Sequence, residues 1–396
     1  MRILSITAQK PNSTGSGVYL SELVKEFEAL GAEQAVVVGI ESGEKAEFSP
    51  SVKMHPVYYR TKELPFAVLG MSDEMPYEST KYSAMTTLMV EQFQQAFLKR
   101  IQEVVESFQP DIILCHHLYL LTAMVREAFP DQMVMGICHG TGLRQLKKNP
   151  LKKDYIQQYI GGLDQVLALH QEQKSDIIRI FGVEPDRITV IGSGYNAQIF
   201  KEEGNPEKKN GISLIYAGKL SEKKGVMSLL RSLSYLSYPE NELELSLAGG
   251  HASPEEFDCI CKQIKEAKYP VHLLGKLTQP DLAKAFQRSD VFVLPSFSEG
   301  LPLVVLEALG CGAKVVCTDL PGVKQWMEQH LPGNQITYVT PPTCCNADEP
   351  REEELPRFEK ELARAVERSI ALPYQRETNL HQLTWKAVCQ RILDIG

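Results

Sequence analysis

The sequence predicts an α/β protein made of two parallel-sheet domains, and three observations carry that expectation. Short apolar runs bounded by turn residues alternate with longer amphipathic stretches, the order of repeated βα units rather than of antiparallel hairpins. The chain has 396 residues, more than one hydrophobic core usually supports. A polar, charged stretch at 200–211, FKEEGNPEKKNG, interrupts the series, and a fresh βα run opens at Ile212. The first domain is therefore expected over 1–200 and the second from 201 onward.

In the first domain, strands are expected over 2–7, 34–40, 111–116, 133–138, 165–170 and 188–191. Among the helices between them, one is marked by Phe93, Phe97, Ile101, Val104, Val105 and Phe108, whose three- and four-residue spacing makes one apolar face, and Pro110 stops it. The second domain should carry strands over 212–217, 242–248, 271–274, 291–295 and 314–317. The segment 340–355, rich in Pro, Cys and acids, reads as an exposed loop before a helix over 356–371. Open α/β sheets bind ligands at the carboxyl ends of their strands, so the loops there are where chemistry is expected.

Composition narrows the function. Apolar residues make up 43% and charged residues 23%, as in a folded protein rather than a disordered or fibrous one. A net charge of -8 argues against nucleic acid as the partner, since phosphate-backbone binding needs a basic face. The N-terminus, MRILSITAQK, lacks the basic and long apolar regions of a signal peptide, and no apolar run is long enough to span a membrane. Nine cysteines, an odd number without zinc-site spacing, fit reduced thiols in a cytoplasmic protein. Cys259 with Cys261, and Cys344 with Cys345, read as buried or loop thiols.

The most specific segment is SFSEGLPLVV at 296–305, followed by Leu306 and Glu307. A strand ends there, Gly300 permits a tight turn, and Pro302 suits the first turn of a helix. Pro302 has no N–H, so Leu301, Leu303 and Val304 are the backbone donors that a helix start offers to an anion. Were the span from Glu299 to Glu307 wholly helical, it would measure about 12 Å. That exceeds the roughly 5 to 9.5 Å of hydrolytic carboxylate pairs, so ligand positioning fits better than hydrolysis. A second constellation, IYAGKLSEKKG at 215–225, places Lys219 and Lys224 after the first strand of the second domain. Fixed cations in such a turn can stabilise a developing anion. STGSGVY at 13–19 follows the first strand with Gly15, Ser16 and Gly17, but Leu20 breaks a dinucleotide-binding fingerprint.

Together, the E-x7-E of Glu299 and Glu307 and the G-K-L…K-G of 218–225 resemble the signatures of the large retaining GT-B glycosyltransferase family, family four (glycosyl transferases group 1). Weaker matches at 194–200, 247–251, 274–296 and 384–393 extend the resemblance over nearly the whole chain. It implies two Rossmann-like domains facing a central cleft, with 201–375 as the donor-binding domain and a last helix, about 376–396, crossing back to the first through Trp385, Val388 and Ile392. Its implied reaction is metal-independent, retaining transfer of a sugar from a nucleotide diphosphate donor, UDP- or GDP-linked, to a sugar, lipid or small-molecule acceptor. No cofactor is implied. Glu299 would then touch the donor sugar, Glu307 the ribose hydroxyls, and Lys219 and Lys224 the diphosphate, with Gly300 and the donors after it nearby. Gly15, Ser16 and Gly17 would lie across from the diphosphate, and His139, in CHGTGLR, near the sugar and acceptor. Lys219 stands where the family usually has arginine, and so lacks a bidentate fork.

The acceptor side is the first domain's. His116 or His117 is expected to line it. The stretch 64–82 reads as a long aromatic loop, and RQLKKNPLKK at 144–153, with Arg144, Lys147 and Lys148, has five cations and no acid. An anionic acceptor, or peripheral contact with an anionic inner membrane face, follows from that patch. Two other functions share these motifs: a GT-B nucleotide-sugar epimerase, and a non-catalytic nucleotide-sugar-binding subunit.

Overall fold

The computed structural model describes every residue except 12, 47, 73–74, 204–210, 252, 346–348 and 376–378. Contacts divide it into two units, Met1–Ser193 with Trp385–Gly396, and Gly194–Thr384. The division falls just before the 200–211 stretch, of which 204–210 lie outside the described residues. Tyr195 and Phe200 already belong to the second unit: the Tyr195 N–H donates to the Leu383 carbonyl at 3.1 Å, and Phe200 packs on Phe286.

The first unit begins with β1 (Arg2–Thr7), α1 (Gly15–Ala29), β2 (Glu33–Glu41), β3 (Lys53–Tyr59), β4 (Leu69–Gly70) and β5 (Thr80–Lys81). It continues with α2 (Thr87–Phe108), β6 (Ile112–His116), α3 (Leu120–Ala128), β7 (Val134–Ile137) and α4 (Thr141–Lys148). Then come α5 (Lys153–Gly161), β8 (Gln165–Ala168), α6 (Gln171–Phe181) and β9 (Ile188–Val190). Its main sheet has the order β3-β2-β1-β6-β7-β8-β9, all parallel. The chain runs outward one way from β1, then restarts at β6 and runs the other way, so the switch point lies between β1 and β6.

Helix α2 buries Phe93, Phe97, Ile101, Val104 and Phe108 as its spacing predicts, and ends in left-handed Gln109 before Pro110. Two departures have clear causes. Strand β3, KMHPVYY, is a half-exposed edge containing Pro56, so it shows neither an apolar run nor clean alternation. The 64–82 stretch is no open loop: Leu64, Val68, Leu69, Met71 and Tyr82 are buried in the main core, and β4 pairs with β5. Residues 73–74 of it lie outside the described residues.

In the second unit the elements are β10 (Ile212–Ala217), α7 (Val226–Ser232), β11 (Leu243–Ala248), α8 (Pro254–Lys265), β12 (Val271–Gly275) and α9 (Gln279–Gln287). There follow β13 (Val291–Leu294), α10 (Leu303–Gly310), β14 (Lys314–Thr318), α11 (Val323–His330), β15 (Ile336–Val339) and α12 (Leu355–Ala371). The sheet order is β12-β11-β10-β13-β14-β15, again all parallel, with its switch point between β10 and β13. Strand β15, at a sheet edge with only its two end residues buried, was not expected from the sequence. In the 340–355 stretch, Cys344 bridges Pro350; 346–348 lie outside the described residues.

The chain ends in α13 (Trp385–Leu393), which belongs to the first unit. Trp385, Val388, Cys389 and Ile392 are buried on it. The Trp385 ring meets Tyr19 of α1 edge-on at 4.7 Å. All nine cysteines are free thiols, and no described helix is long and apolar enough to cross a membrane.

Candidate active site

In the second unit the two motif-bearing loops follow β10 and β13, the strands that flank the switch point, so both open at the same end of one sheet. The turn after β10 is held from several sides. The buried Tyr216 hydroxyl donates to the Lys219 carbonyl at 2.7 Å, the Glu222 N–H donates to Glu256 on α8, and the Phe297 N–H donates to the Lys223 carbonyl at 3.1 Å. Gly225 closes the turn at φ +72°, and a Cβ there would lie 2.1 Å from the Pro295 carbonyl oxygen. Only glycine fits that close approach.

These constraints carry Lys224 to Glu299. Its Nζ lies 2.7 Å from Glu299 Oε1 and 3.4 Å from the Ser298 carbonyl, across 75 positions of sequence. Both side chains keep some exposure, 28% and 17%, so the pair is accessible to a ligand rather than sealed in the core. Glu299 belongs to the loop, because α10 starts at Leu303 with Pro302 as its N-cap. The chain between Glu299 and Glu307 is thus only half helical, and the helical spacing inferred from sequence does not apply. Pro302 stands one place earlier than expected. Leu303 and Val304 are the first two helical residues, whose N–H groups have no acceptor inside the helix. Leu301 is buried, and Glu307, one turn into α10, is 9% exposed.

In the first unit, Gly15, Ser16 and Gly17 are the first turn of α1 rather than a loop before it. Thr14 caps that turn, its Oγ1 accepting the Gly17 N–H at 3.1 Å. His139 follows β7 and is half-buried; Gly140, at φ +83°, caps α4, which carries Arg144, Lys147 and Lys148. His116 and His117, expected along the acceptor side, are each only 4% exposed and pack behind His139. His116 Nδ1 lies 3.1 Å from His139 Nε2, His117 Nδ1 lies 2.9 Å from Thr141 Oγ1, and Tyr19 meets His139 edge-on at 5.1 Å. Among the described residues, no group of three or more His, Cys, Asp or Glu could hold a metal ion.

Burial pushes the His116 and His117 rings down to about 3 from the ordinary 6.5, and lowers His139 strongly as well. An unfolded chain takes up protons on these rings as pH falls through 6.5, whereas the folded unit does not. The stability held by keeping them neutral is therefore complete above that pH and lost progressively toward pH 3. His117→Asn removes one such ring, and should reduce the loss of denaturant midpoint between pH 7 and pH 5 relative to the parent chain. An unchanged pH slope would contradict the buried neutral ring.

Three features were not legible from spacing: the Lys224–Glu299 contact, the Tyr216 and Glu256 supports, and the joining of the three histidines. Apart from the Tyr216 bond to Lys219, three residues on, these contacts join residues of separate βα units, and only the strand order brings them together.

Comparison with known proteins finds matches for both halves of the chain. Residues 13–198 match Glycosyltransferase Family 4, and residues 197–340 match Glycosyl transferases group 1. A D-inositol 3-phosphate glycosyltransferase of Pseudarthrobacter chlorophenolicus is 28% identical over 177 residues, which is 42% of this chain and 42% of that protein. The match thus spans less than half of that relative's length. Another D-inositol 3-phosphate glycosyltransferase, from Streptomyces bingchenggensis, is 23% identical over 338 residues, 78% of this chain and 70% of that one. Among solved structures, sucrose-phosphate synthase from Thermosynechococcus elongatus superposes with a TM-score of 0.71 at 15% identity, covering 100% of this chain and 98% of that one. Anabaena Alr3699/HepE in complex with UDP and glucose gives 0.66 at 16% identity, covering 100% and 98%. With both halves matched by the family's two domains and each unit folded as its sheets require, the chain belongs to the family-four, group 1 glycosyltransferases of the GT-B fold.

Proposed function

We propose that this protein transfers a sugar from a nucleotide diphosphate donor to an acceptor hydroxyl with retention at the anomeric carbon, using protein cations where other enzymes use a metal. The observation that carries the reading is the Lys224 ammonium on Glu299, 2.7 Å apart, in the loops that flank the second sheet's switch point. A cation there meets the charge that develops as the bond from the anomeric carbon to the diphosphate oxygen breaks. Lys219 and the Leu303 and Val304 N–H groups add to it, Glu299 accepts sugar hydroxyls, and Glu307 accepts the ribose hydroxyls. The family resemblance assigns His139 to the sugar, and Gly15, Ser16 and Gly17 to the diphosphate. The acceptor oxygen bonds to the anomeric carbon on the face the diphosphate leaves, and its proton passes to the departing phosphate oxygen. Family membership favours retention, and the UDP and glucose held by the Anabaena relative favour a nucleoside diphosphate sugar.

A panel of UDP- and GDP-sugars, titrated calorimetrically in the presence of a chelator, tests donor use directly. Tight binding of one sugar nucleotide is expected; binding that needs added manganese would reject the metal-independent reading. Conversion of the donor to an epimer without acceptor would indicate the epimerase, and binding with no transfer to any acceptor the non-catalytic subunit.

Acceptor chemistry is proposed from the exposed lysines Lys147, Lys148, Lys152 and Lys153 on and after α4, which suit an anionic acceptor or an anionic membrane surface carrying one. Replacing all four by Gln should raise acceptor KM or weaken sedimentation with anionic vesicles. Should neither change, the patch is a solvated surface.

A further inference from the structure

We infer that His116 is a positioning residue that donates its Nδ1–H to His139 Nε2 and thereby holds His139 as the Nδ1–H tautomer. The proton His139 has to offer a ligand then lies on Nδ1. Only the consequence for turnover rests on the proposed transfer reaction; the tautomer rests on packing within the first unit.

The two ring planes are nearly parallel, at 15°, with centroids 5.2 Å apart. The facing nitrogens, His116 Nδ1 and His139 Nε2, are 3.1 Å apart, within hydrogen-bond distance. One nitrogen must therefore carry the proton and the other a lone pair. If His139 Nε2 were the donor, neutral His116 would carry its own proton on Nε2. That atom is buried and without a hydrogen-bond partner among the described residues, so an N–H there would be orphaned. With the proton on His116 Nδ1, only a lone pair is left unpaired at Nε2, and orphaned buried N–H groups are the rarer defect in folded proteins.

His117 repeats the pattern. Its Nδ1 faces Thr141 Oγ1 at 2.9 Å and its Nε2 is likewise buried without a partner among the described residues, which assigns it the same Nδ1–H form. Tyr19 does not compete for His139, because its hydroxyl donates to the Gly192 carbonyl at 3.0 Å. Burial keeps His116 neutral, so a doubly protonated ring does not upset the assignment.

Long-range proton–nitrogen NMR of the full chain labelled with 15N-histidine decides the matter, with His139 assigned by its loss in His139→Gln. The parent chain should show His139 protonated at Nδ1. His116→Leu should return His139 to the Nε2–H form that predominates in water, and lower kcat about tenfold, the weight of one oriented hydrogen bond, with donor KM little changed. His116→Asn, whose amide nitrogen replaces Nδ1 as donor, should keep both the Nδ1–H signature and kcat within about twofold. A parent spectrum with His139 protonated at Nε2 overturns the inference, as does an Nδ1–H signature that survives His116→Leu. If His116→Leu does not fold, the parent spectrum still decides. A parent chain inactive with every sugar nucleotide would defeat the transfer reading and leave the spectrum as it is.

Discussion

Lys224→Ala should lower the rate of sugar transfer by about 100- to 1000-fold, the typical effect of removing one preorganised charge donor from a developing anion, about 3 to 4 kcal/mol. The fold should barely register the change. Lys224 and Glu299 are partly exposed at 28% and 17%, and an exposed ion pair contributes at most about 1 kcal/mol to stability. The turn is held independently of this ammonium by the Tyr216 hydroxyl, the Glu256 carboxylate and the Phe297 N–H. Lys219→Ala should follow the same direction with a smaller loss. Initial rates under chelation, set beside denaturant midpoints, separate the two effects. Full activity in Lys224→Ala would remove the charge from the mechanism, and a lost fold would make the residue structural.

Glu299→Gln should reduce turnover by about 100-fold or more, on the scale of other oriented groups in polar active sites, while binding of the free nucleoside diphosphate holds or tightens. The sign follows from the geometry. In the free protein the Glu299 carboxylate occupies Lys224 at 2.7 Å, and it would repel an incoming diphosphate; neutral Gln lifts both effects. Glu307→Ala should do the reverse, weakening nucleotide affinity with a smaller change in turnover at saturating donor. Calorimetry with the diphosphate alone and kinetics with the sugar nucleotide distinguish them. Equal losses for both ligands in both variants would contradict the assigned roles.

Much of the architecture was legible because buried parallel strands advertise themselves. Strands β1 and β10 have the expected bounds to the residue, since RILSIT and ISLIYA are near-continuous apolar runs flanked by turns. Helix α2 was equally clear, as one apolar stripe recurs from Phe93 to Phe108. Of the edge strands, β9 and β12 were expected but β3 and β15 were not: KMHPVYY, half-exposed and containing Pro56, lacks the pattern that burial imposes. The 64–82 stretch misled for a related reason: its apolar residues enter the core one at a time from irregular backbone, leaving no period to read.

For the candidate site, the family resemblance singled out Glu299, Glu307, Lys219 and Lys224, but spacing could not show that Lys224 meets Glu299. Gly225 is the hinge of that joining. Its left-handed backbone and its close approach to Pro295 aim Lys224 at the loop after β13, and neither feature is visible until β10 and β13 are known to be neighbours. The histidines show the same limit. CHH and CHG each end a strand, yet the burial of His116 and His117 behind His139 depends on the adjacency of β6 and β7.

The most direct measurement is proton NMR of the reaction as it proceeds, with the parent chain, its preferred sugar nucleotide, an acceptor and a chelator in the tube. The account predicts that the first anomeric signal of the product has the configuration of the donor and that chelation leaves its rate unchanged. A product of opposite configuration, or one that forms only when manganese is restored, would contradict it.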